Sequence, residues 1–336
     1  MITEKLTDDK QGIARASEIL KKGGVVAIPT ETVYGLAASA YDENAIKKVF
    51  SAKGRPQDNP LIVHISNMEQ LSEIAKEIPK TALICAEKFW PGPLTMVLQK
   101  TGKTAECVSG GLSSVAVRMP SNLVAREIIN LSGLPLAAPS ANTSGKPSPT
   151  NATHVENDLL GKIDAIIYSD ECTVGVESTV ISFCTNPPRL LRPGAVTAEE
   201  LREIIPDLAV DKAVLAEPES KEKVASPGMK YKHYSPTTES YLVEGDCESF
   251  VAFVNSNPDC AAICFDEESE KITVKSICYG SLKDEKTLAH SLFDALRNVD
   301  NLGVKKAYIH APSKQGVGLA VYNRLLRASA FRVIKL

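Results

Sequence analysis

The sequence predicts an α/β protein with two domains. Short apolar segments alternate with amphipathic ones from the amino terminus to about residue 205, as in a sheet covered by helices. The alternation stops between residues 206 and 238 and resumes from residue 239 to residue 336. A chain of 336 residues is also too long for one small core. We therefore predict a first domain at residues 1–205, a linker at 206–238 and a smaller second domain at 239–336.

Glycine and proline separate the predicted elements of the first domain. Gly23 and Gly24 end the first helix, and Gly54 ends the second. Pro56 and Pro60 exclude both a helix and a central strand between them. Helices are predicted at residues 13–20, 43–50, 68–77, 80–89, 121–131 and 197–205, and strands at residues 25–28, 61–65, 94–98, 115–118, 136–138, 165–168 and 179–183.

The second domain follows a charged, proline-containing linker and repeats the alternation on a smaller scale. This pattern predicts a Rossmann-like layer, but no GxGxxG segment is present, so dinucleotide binding is not indicated. Strands are predicted at residues 241–243, 260–265, 273–278 and 307–309, and helices at residues 246–256, 284–298 and 317–329.

Composition excludes several classes of protein. The net charge of -3 gives no general attraction to nucleic acid or anionic membranes. The first ten residues, MITEKLTDDK, are too polar for a signal peptide, and no apolar stretch reaches the roughly 18 residues of a membrane span. Eight cysteines are scattered without a CxxC pair, which predicts small buried side chains and no zinc site. We expect a soluble cytoplasmic protein with no membrane contact.

The segment KGRPQDNPLIVH is a candidate anion-binding corner. Lys53 and Arg55 flank the glycine that ends the second helix, and His64 lies at the end of the next strand. Two cations on a turn beside a strand-end histidine can face a cleft. The alternative is a solvated helix end with a satisfied core histidine.

Hydroxyl-rich loops follow two other predicted strands. PTETVYGLAA contributes Thr30, Thr32 and Tyr34, and SANTSGKPSPT begins at Ser140. Ligands of open α/β sheets bind at the carboxyl ends of strands, so both loops are candidates for the same rim. Ordinary turns, rich in Ser, Asn, Gly and Pro, would explain the composition equally well. The segments TGKT at residues 101–104 and GKP at 145–147 do not complete a P-loop, because its first glycine is missing in both.

Charged residues mark three further segments. Arg118 ends an apolar strand and therefore needs an anionic partner, which can be an internal carboxylate or a substrate. TVGVESTV leads into a strand at Ser178, and RLLRPG places Arg192 before a turn. The linker segment SPGMKYKHYSP, residues 226–236, carries basic and aromatic residues that could close over an anionic ligand as a lid. The alternative is an anchor for packing the domains.

Four segments occur in this order along nearly the whole chain: PTETVYGL, KGRPQDNPL with its strand histidine, SAN-x-SG and SPGMK-x-x-HYSP. In this, the chain resembles the YrdC-like family and, with its linker and second domain, that family's long two-domain L-threonylcarbamoyladenylate synthases. The resemblance implies a twisted open sheet with a concave cleft, followed by a Rossmann-like domain. It also implies condensation of L-threonine, bicarbonate or CO2, and ATP into threonylcarbamoyl-AMP and pyrophosphate, for the t6A modification at position 37 of tRNA.

The resemblance also implies the roles of particular residues. Lys53, Arg55 and Arg118 would be the catalytic cations, with Arg118 binding the threonine carboxylate. The threonine-binding residues would be Thr32, His64, Arg118, Ala138 and Ser178. The ATP-binding residues would be Lys53, Arg55, Asn59, Ser114, Ser140, Asn142, Ser148, Arg192 and Tyr234.

This chemistry needs no covalent nucleophile on the protein, because the threonine carbamate itself attacks the α-phosphate. Mg²⁺ would arrive with ATP, since no tight cluster of carboxylates predicts a metal site of the protein's own. Transfer proteins downstream, and tRNA, are possible partners. Two alternatives remain: a non-catalytic RNA-binding protein, and a carbamoyl transferase that uses a carbamoyl-adenylate made elsewhere.

Overall fold

Two β-sheets organise the residues that the computed structural model describes, 2–217 and 234–336. The described residues before 217 form a twelve-stranded sheet of mixed direction, and those after 234 form a five-stranded sheet. The α/β class, the large twisted sheet and the smaller second layer are thereby confirmed. The exact bounds of the linker stay a prediction, because residues 218–233 lie outside the described part.

The first sheet combines parallel and antiparallel neighbours in the order β1-β9-β2-β3-β8-β4-β7-β6-β10-β11-β12, with β5 paired to β6. Its strands are β1 Glu4–Thr7, β2 Val26–Ile28, β3 Gly35–Ser39, β4 Ile62–His64, β5 Ala75–Lys76, β6 Leu94–Lys100, β7 Ser114–Arg118, β8 Leu136–Ala137, β9 Ala165–Tyr168, β10 Thr179–Ser182, β11 Arg189–Arg192 and β12 Ala209–Val210. Its helices are α1 Lys10–Lys21, α2 Glu43–Lys53, α3 Met68–Ile74, α4 Lys80–Phe89, α5 Leu123–Ser132, α6 Ala152–Leu159 and α7 Ala198–Arg202. Short 3-10 turns occur at Glu106–Val108 and Lys212–Val214.

Helices cover both faces of this sheet. Ala16 of α1 and Ile128 of α5 belong to one buried cluster with β2 and β9, while α2, α3 and α4 contribute to a larger cluster with β4, β6 and β7. The two clusters explain why the central strands are apolar at consecutive positions, as in a sheet buried on both faces.

Helix α2 brings its carboxyl end to the sheet. Asp42 caps its first turn by accepting from the amides of Asn44 and Ala45. Gly54 ends it in the left-handed region at φ 62°, as the sequence predicts. Lys53 is therefore the last helical residue, and the chain turns sharply behind it toward β4.

The second sheet is parallel throughout, in the order β15-β14-β16-β13-β17, which confirms the predicted Rossmann-like layer. Its strands are β13 Glu239–Glu244, β14 Cys260–Cys264, β15 Lys275–Cys278, β16 Lys306–His310 and β17 Val333–Lys335. Its helices are α8 Cys247–Asn255, α9 Glu285–Asn298 and α10 Gly316–Ala328, with 3-10 turns at Asp266–Lys271 and Val299–Leu302.

Some elements differ from the sequence prediction. The loop predicted at residues 29–38 is wrong at its end. Residues 35–39 instead form β3, which pairs with β2 and β8. Strands β1, β5, β11, β12 and β17 and helix α6 were not predicted, and the end of the predicted helix at residues 68–77 is wrong, because β5 occupies residues 75–76. The cysteines are also less uniformly buried than expected, since Cys184 and Cys278 are exposed. Among the described residues, no helix is both long enough and apolar enough to cross a membrane.

The two domains pack together through loops of the first. Val33 and Val176 belong to a buried cluster whose other buried members are Tyr234 of the linker and residues of the second domain, including Phe293. Gly175 has φ 82°, and a Cβ there would lie 2.4 Å from the Cα of His290 in α9. The segment before Ser178 therefore touches the backbone of the second domain.

We predict that Gly175→Ala loosens this contact. The added methyl group overlaps the α9 backbone and the φ is unfavourable, which together should lower the free energy of unfolding by about 3 kcal/mol. Gly102→Ala is the matched control, since Gly102 has φ 96° but no atom within 4 Å of the added methyl; it should cost about 1 kcal/mol. Thermal and denaturant unfolding would measure both. Equal losses would show that the α9 contact is not close.

Candidate active site

A cleft opens where several strands of the first sheet end. Its wall is formed by the turns after β2 and β8, the ends of β4, β7 and β11, the residues before β10, and Tyr234 of the linker. Strands β4 and β7 run parallel and bring His64 beside Arg118 in the register. Segments far apart in sequence therefore meet in one place.

The cleft brings together most of the predicted site residues. Those that line it are Thr32, Lys53, Arg55, His64, Arg118, Ala138, Ser140, Asn142, Ser178, Arg192 and Tyr234. Thr30, Ser144, Lys146 and Glu177 also line it. Tyr34 does not share the rim as expected: its ring is buried in the core, and its hydroxyl donates to the carbonyl oxygen of Ser169 at 3.3 Å.

Three predicted nucleotide contacts lie outside the cleft wall. Asn59 is buried in the turn before β4. Ser148 is fully buried and donates to the carboxylate of Glu177 at 2.5 Å. Ser114 begins β7, whose other end carries Arg118, so the two are about 13 Å apart along the strand. Their roles stay predictions.

Arg118 has an internal carboxylate partner, one of the two alternatives left open by the sequence. Its Nη2 lies 2.7 Å from Glu31 Oε1, and its Nη1 donates to Thr32 Oγ1 at 2.7 Å. The Nη2 contact is a buried ion pair that balances the charge of Arg118 inside the protein. Burial opposes ionisation of Glu31, but the Arg118 charge and the hydrogen bonds to the carboxylate together outweigh it and lower the Glu31 pKa.

His64 is a neutral member of the site. It is buried at the end of β4, and its Nδ1 lies 3.3 Å from the carbonyl oxygen of Ile62, to which it can donate. Burial, and then the charge of Arg118, lower the pKa of His64 to about 3. Near pH 7 the cleft therefore contains an uncharged imidazole beside an arginine.

Lys53 is committed to the loop after β8. Its Nζ donates to the carbonyl oxygen of Ser140 and, at 2.6 Å, to that of Asn142. The amide of Ser144 donates back to the carbonyl of Lys53 at 2.9 Å. Burial, with the charge of Arg55 in addition, lowers the pKa of Lys53 well below its usual value. The lysine thus holds the loop through its carbonyl oxygens, and its side chain also forms part of the cleft wall.

The loop itself is held by Asn142. Its Oδ1 accepts from Ser140 Oγ at 2.6 Å, and its Nδ2 donates to the carbonyls of Thr143 and Lys146 at 2.9 and 2.8 Å. The side-chain amide of Asn142 makes its hydrogen bonds within the loop, so Asn142 determines the shape of this part of the wall. Ala138 offers no free amide either, because its N–H donates to the carbonyl of Ile62 at 2.9 Å.

Ser178 and Arg192 form the opposite wall. Arg192 Nε donates to the Ser178 carbonyl at 3.0 Å, and Nη2 donates to Ser178 Oγ at 3.1 Å. Ser178 Oγ also lies 2.7 Å from Thr95 Oγ1. Burial, and then the nearby charge of Arg324, lower the pKa of Arg192 to about 10, so it stays positive near neutral pH.

Sequence reasoning missed the two acidic residues of the site. Glu177 lines the cleft and accepts hydrogen bonds from Ser148 and Arg324, and Glu31 pairs with Arg118. A signal was present, since each glutamate stands alone in a stretch of hydroxyl and apolar residues beside a predicted site residue. The partner of Glu177 could not be found this way, because Arg324 lies 147 positions later.

Tyr234 is the described linker residue that lines the cleft. It is buried, has φ 62°, and packs on Phe293 with ring centroids 5.2 Å apart. Burial raises its pKa. The rest of the predicted lid up to His233, including Tyr231, lies outside the described residues.

The cleft carries more positive than negative charge. Lys53, Arg55, Arg118 and Arg192 line it with Glu177, so it suits an anion such as a carboxylate or a phosphate. Within the described residues, the one group of side chains spaced to hold a metal ion is Cys247, Glu268 and His310 in the second domain. The acidic residues of the cleft are already paired with arginines.

Two family models match successive parts of the chain. The Sua5, YciO and YrdC model, described as "Telomere recombination", matches residues 18–194. A model described as "Threonylcarbamoyl-AMP synthase, C-terminal domain" matches residues 196–330.

Curated relatives match over nearly their whole length. The threonylcarbamoyl-AMP synthase of Pyrococcus abyssi is 46% identical over 329 residues, covering 95% of this chain and 94% of that protein. The threonylcarbamoyl-AMP synthase of Bacillus subtilis is 42% identical over 340 residues, covering 99% and 97%. A crystal structure of P. abyssi Sua5 complexed with L-threonine matches with a TM-score of 0.90 and 42% identity, covering 100% of both chains.

We predict that buried, neutral His64 makes the fold sensitive to acid. Between about pH 6.5 and 3, the unfolded chain binds a proton that folded His64 does not, so the free energy of unfolding falls as pH falls, by up to about 1.4 kcal/mol per pH unit. His64→Gln should make this pH dependence weaker between pH 6 and 4.5, by the equivalent of up to about one proton taken up on unfolding. Denaturant unfolding at several pH values measures it. An unchanged slope would contradict a neutral, buried His64.

Proposed function

Because the chain belongs to the Sua5, YciO and YrdC family, we propose that it makes threonylcarbamoyl-AMP from L-threonine, bicarbonate or CO2, and ATP. One observation of the structure carries this proposal. Arg55, Arg118 and Arg192, from three distant segments, line a single cleft together with neutral His64. Such a cleft can bind a small carboxylate and a polyphosphate side by side.

The threonine site in this proposal lies around Arg118. Arg118 lines the cleft, and the fork of a guanidinium suits a carboxylate such as that of threonine. Thr32 and Ser178 offer hydroxyls, and Ala138 can contribute its carbonyl or methyl group. Because His64 is neutral, its ring places no positive charge beside the threonine amine. This environment suits carbamate formation.

The nucleotide site in this proposal lies between Arg55, Arg192 and the Ser140 loop. Arg55 and Arg192 would carry the charge that binds the phosphates, and Tyr234 would cover the nucleotide from the linker side. Lys53 would act mainly by positioning the loop, because its donors already bind loop carbonyls. We propose Asn59, Ser114 and Ser148 as more distant contributors.

The proposed reaction is a nucleotidyl transfer. The threonine nitrogen first bonds to carbon dioxide and loses a proton, giving a carbamate. A carbamate oxygen then attacks the α-phosphorus of ATP, and the bond to the bridging oxygen of the β-phosphate breaks to release pyrophosphate. The described residues would contribute positioning and charge, with no covalent intermediate on the protein.

We propose that Mg²⁺ enters as the ATP complex. Glu31 and Glu177 are each paired with an arginine, so neither is free to bind a resident ion. The ion would reduce the charge of the phosphates as part of the substrate. The adenylate would then pass to tRNA through transfer proteins that recognise it.

Pyrophosphate release tests the function directly. We expect release from ATP only when L-threonine and bicarbonate are both present, with one threonylcarbamoyl-AMP formed per pyrophosphate. Release without threonine would indicate another acceptor, as in a carbamoyl transferase. Salt-sensitive RNA binding with no release under any condition would instead support the RNA-binding alternative.

Two variants should separate the two substrate sites. Arg118→Lys keeps a charge beside Glu31 but removes the guanidinium fork, so the KM for threonine should rise about tenfold or more with little change for ATP. Arg192→Ala should raise the KM for ATP by about tenfold or more and leave threonine less affected. Steady-state kinetics with each substrate varied measures both, and the reverse pattern would contradict the proposed sites.

A further inference from the structure

Arg324 reaches from the second domain into the cleft wall of the first. It lies on α10 with no solvent exposure. Its Nε and Nη2 donate to Oε2 and the carbonyl oxygen of Glu177, both at 3.0 Å. Its Nη1 donates to the carbonyl of Pro193 at 2.5 Å. One guanidinium thus joins the segment that leads into β10 to the segment that follows β11.

Both of these segments carry residues of the cleft. Glu177 lines it directly and is followed by Ser178, while Pro193 is preceded by Arg192. Arg192 in turn binds the carbonyl and the hydroxyl of Ser178. The other carboxylate oxygen of Glu177 accepts from Ser148. Any shift of Arg324 would therefore move several wall residues together.

Arg324 also balances the charge of the wall. Glu177 is a buried carboxylate on a cleft that we propose for a triphosphate, and without a counter-charge it would repel the phosphates and remain uncompensated. Within the described residues, Glu177 is the one carboxylate that makes an ion pair with Arg324. Of the two arginine charges that lower the Glu177 pKa, that of Arg324 contributes more than that of Arg192, so the second domain supplies the main counter-charge of this carboxylate.

We propose that Arg324 is a positioning residue of the synthase reaction, through which the second domain fixes the ATP-binding wall formed around Glu177 and Arg192. This inference rests on the proposed function, because it assigns the wall to ATP. It gives the second domain a direct part in substrate binding although no described side chain of residues 239–336 lines the cleft.

The test compares Arg324→Met, Arg324→Lys and the double variant Glu177→Gln with Arg324→Met. Arg324→Met removes the charge at similar length, and the double variant also removes the carboxylate that needs it. Asp294→Asn is the matched control: Asp294 also joins the domains, with His154 Nε2 at 3.3 Å, but neither residue lines the cleft. Circular dichroism and thermal unfolding check that each variant folds.

Two measurements are made on the full chain. Calorimetry with ATP alone gives the Kd, and pyrophosphate release gives KM and kcat for each substrate. Arg324→Met should raise both Kd and KM for ATP by about tenfold or more, and change the KM for threonine by less than about threefold. The double variant should recover part of the ATP affinity, Arg324→Lys should lose less than Arg324→Met, and Asp294→Asn should bind ATP normally.

Three results would overturn the proposal. They are an ATP Kd in Arg324→Met within about twofold of the unmodified chain, a double variant that binds ATP no better than Arg324→Met, and an equal loss in Asp294→Asn. If Arg324→Met does not fold, the same comparison is made with Arg324→Lys and the double variant. Absence of pyrophosphate release from the unmodified chain would count against the synthase function alone, since the calorimetric Kd still tests Arg324.

Discussion

Buried guanidinium groups set the constraint on which the cleft depends. A buried positive charge is tolerated only with a counter-charge and hydrogen-bond acceptors around it. Glu31 meets this requirement for Arg118, and Glu177 meets it for Arg324. Each arginine in turn lowers the pKa of its glutamate against the effect of burial, so the pairs remain ionic. The charges of the wall are thereby held in place by the protein itself, which is the arrangement that stabilises charge during a reaction at little cost in reorganisation.

The same constraint explains how the two domains are joined. The contact between them combines an apolar cluster around Val176 and Phe293 with the ion pair of Glu177 and Arg324. Arg297 adds a second, partly buried contact, donating to Asp158 at 2.9 Å. Of these contacts, that of Arg324 involves Glu177 and Pro193, the chain neighbours of Ser178 and Arg192. The shape of the cleft therefore depends on how the two domains pack together. The first sheet alone does not account for the site.

The sequence predicts most of what local chemistry determines. Gly54 ends α2 as expected, and the strand-end positions of His64 and Arg118 follow from apolar runs and proline stops. Short edge strands such as β1 and β17 were missed because pairing partners far along the chain define them. The two glutamates were missed for a related reason. A lone carboxylate acquires a role only through its arginine, and the sequence gives no sign that residues 177 and 324 meet.

Lys53 shows the limit of assigning a role from residue type. Its position in the KGR segment indicates a phosphate contact, whereas its ammonium group binds the carbonyls of Ser140 and Asn142 and supports the loop. Charge and sequence position identify a residue as belonging to the site, but the groups that its donors reach decide what it does there. The same holds for Asn142, whose amide closes the loop from within.

The most direct measurement is isotope transfer into the product. The chain is supplied with ATP, ¹⁵N-labelled L-threonine and ¹³C-labelled bicarbonate, and the nucleotide product is isolated and examined by NMR and mass spectrometry. A synthase with threonine and ATP in one cleft must give an AMP adduct in which ¹³C is bonded directly to ¹⁵N, seen as a one-bond coupling. An AMP product without the ¹³C label, or labelled carbamate that never becomes attached to AMP, would contradict the account of the cleft given above.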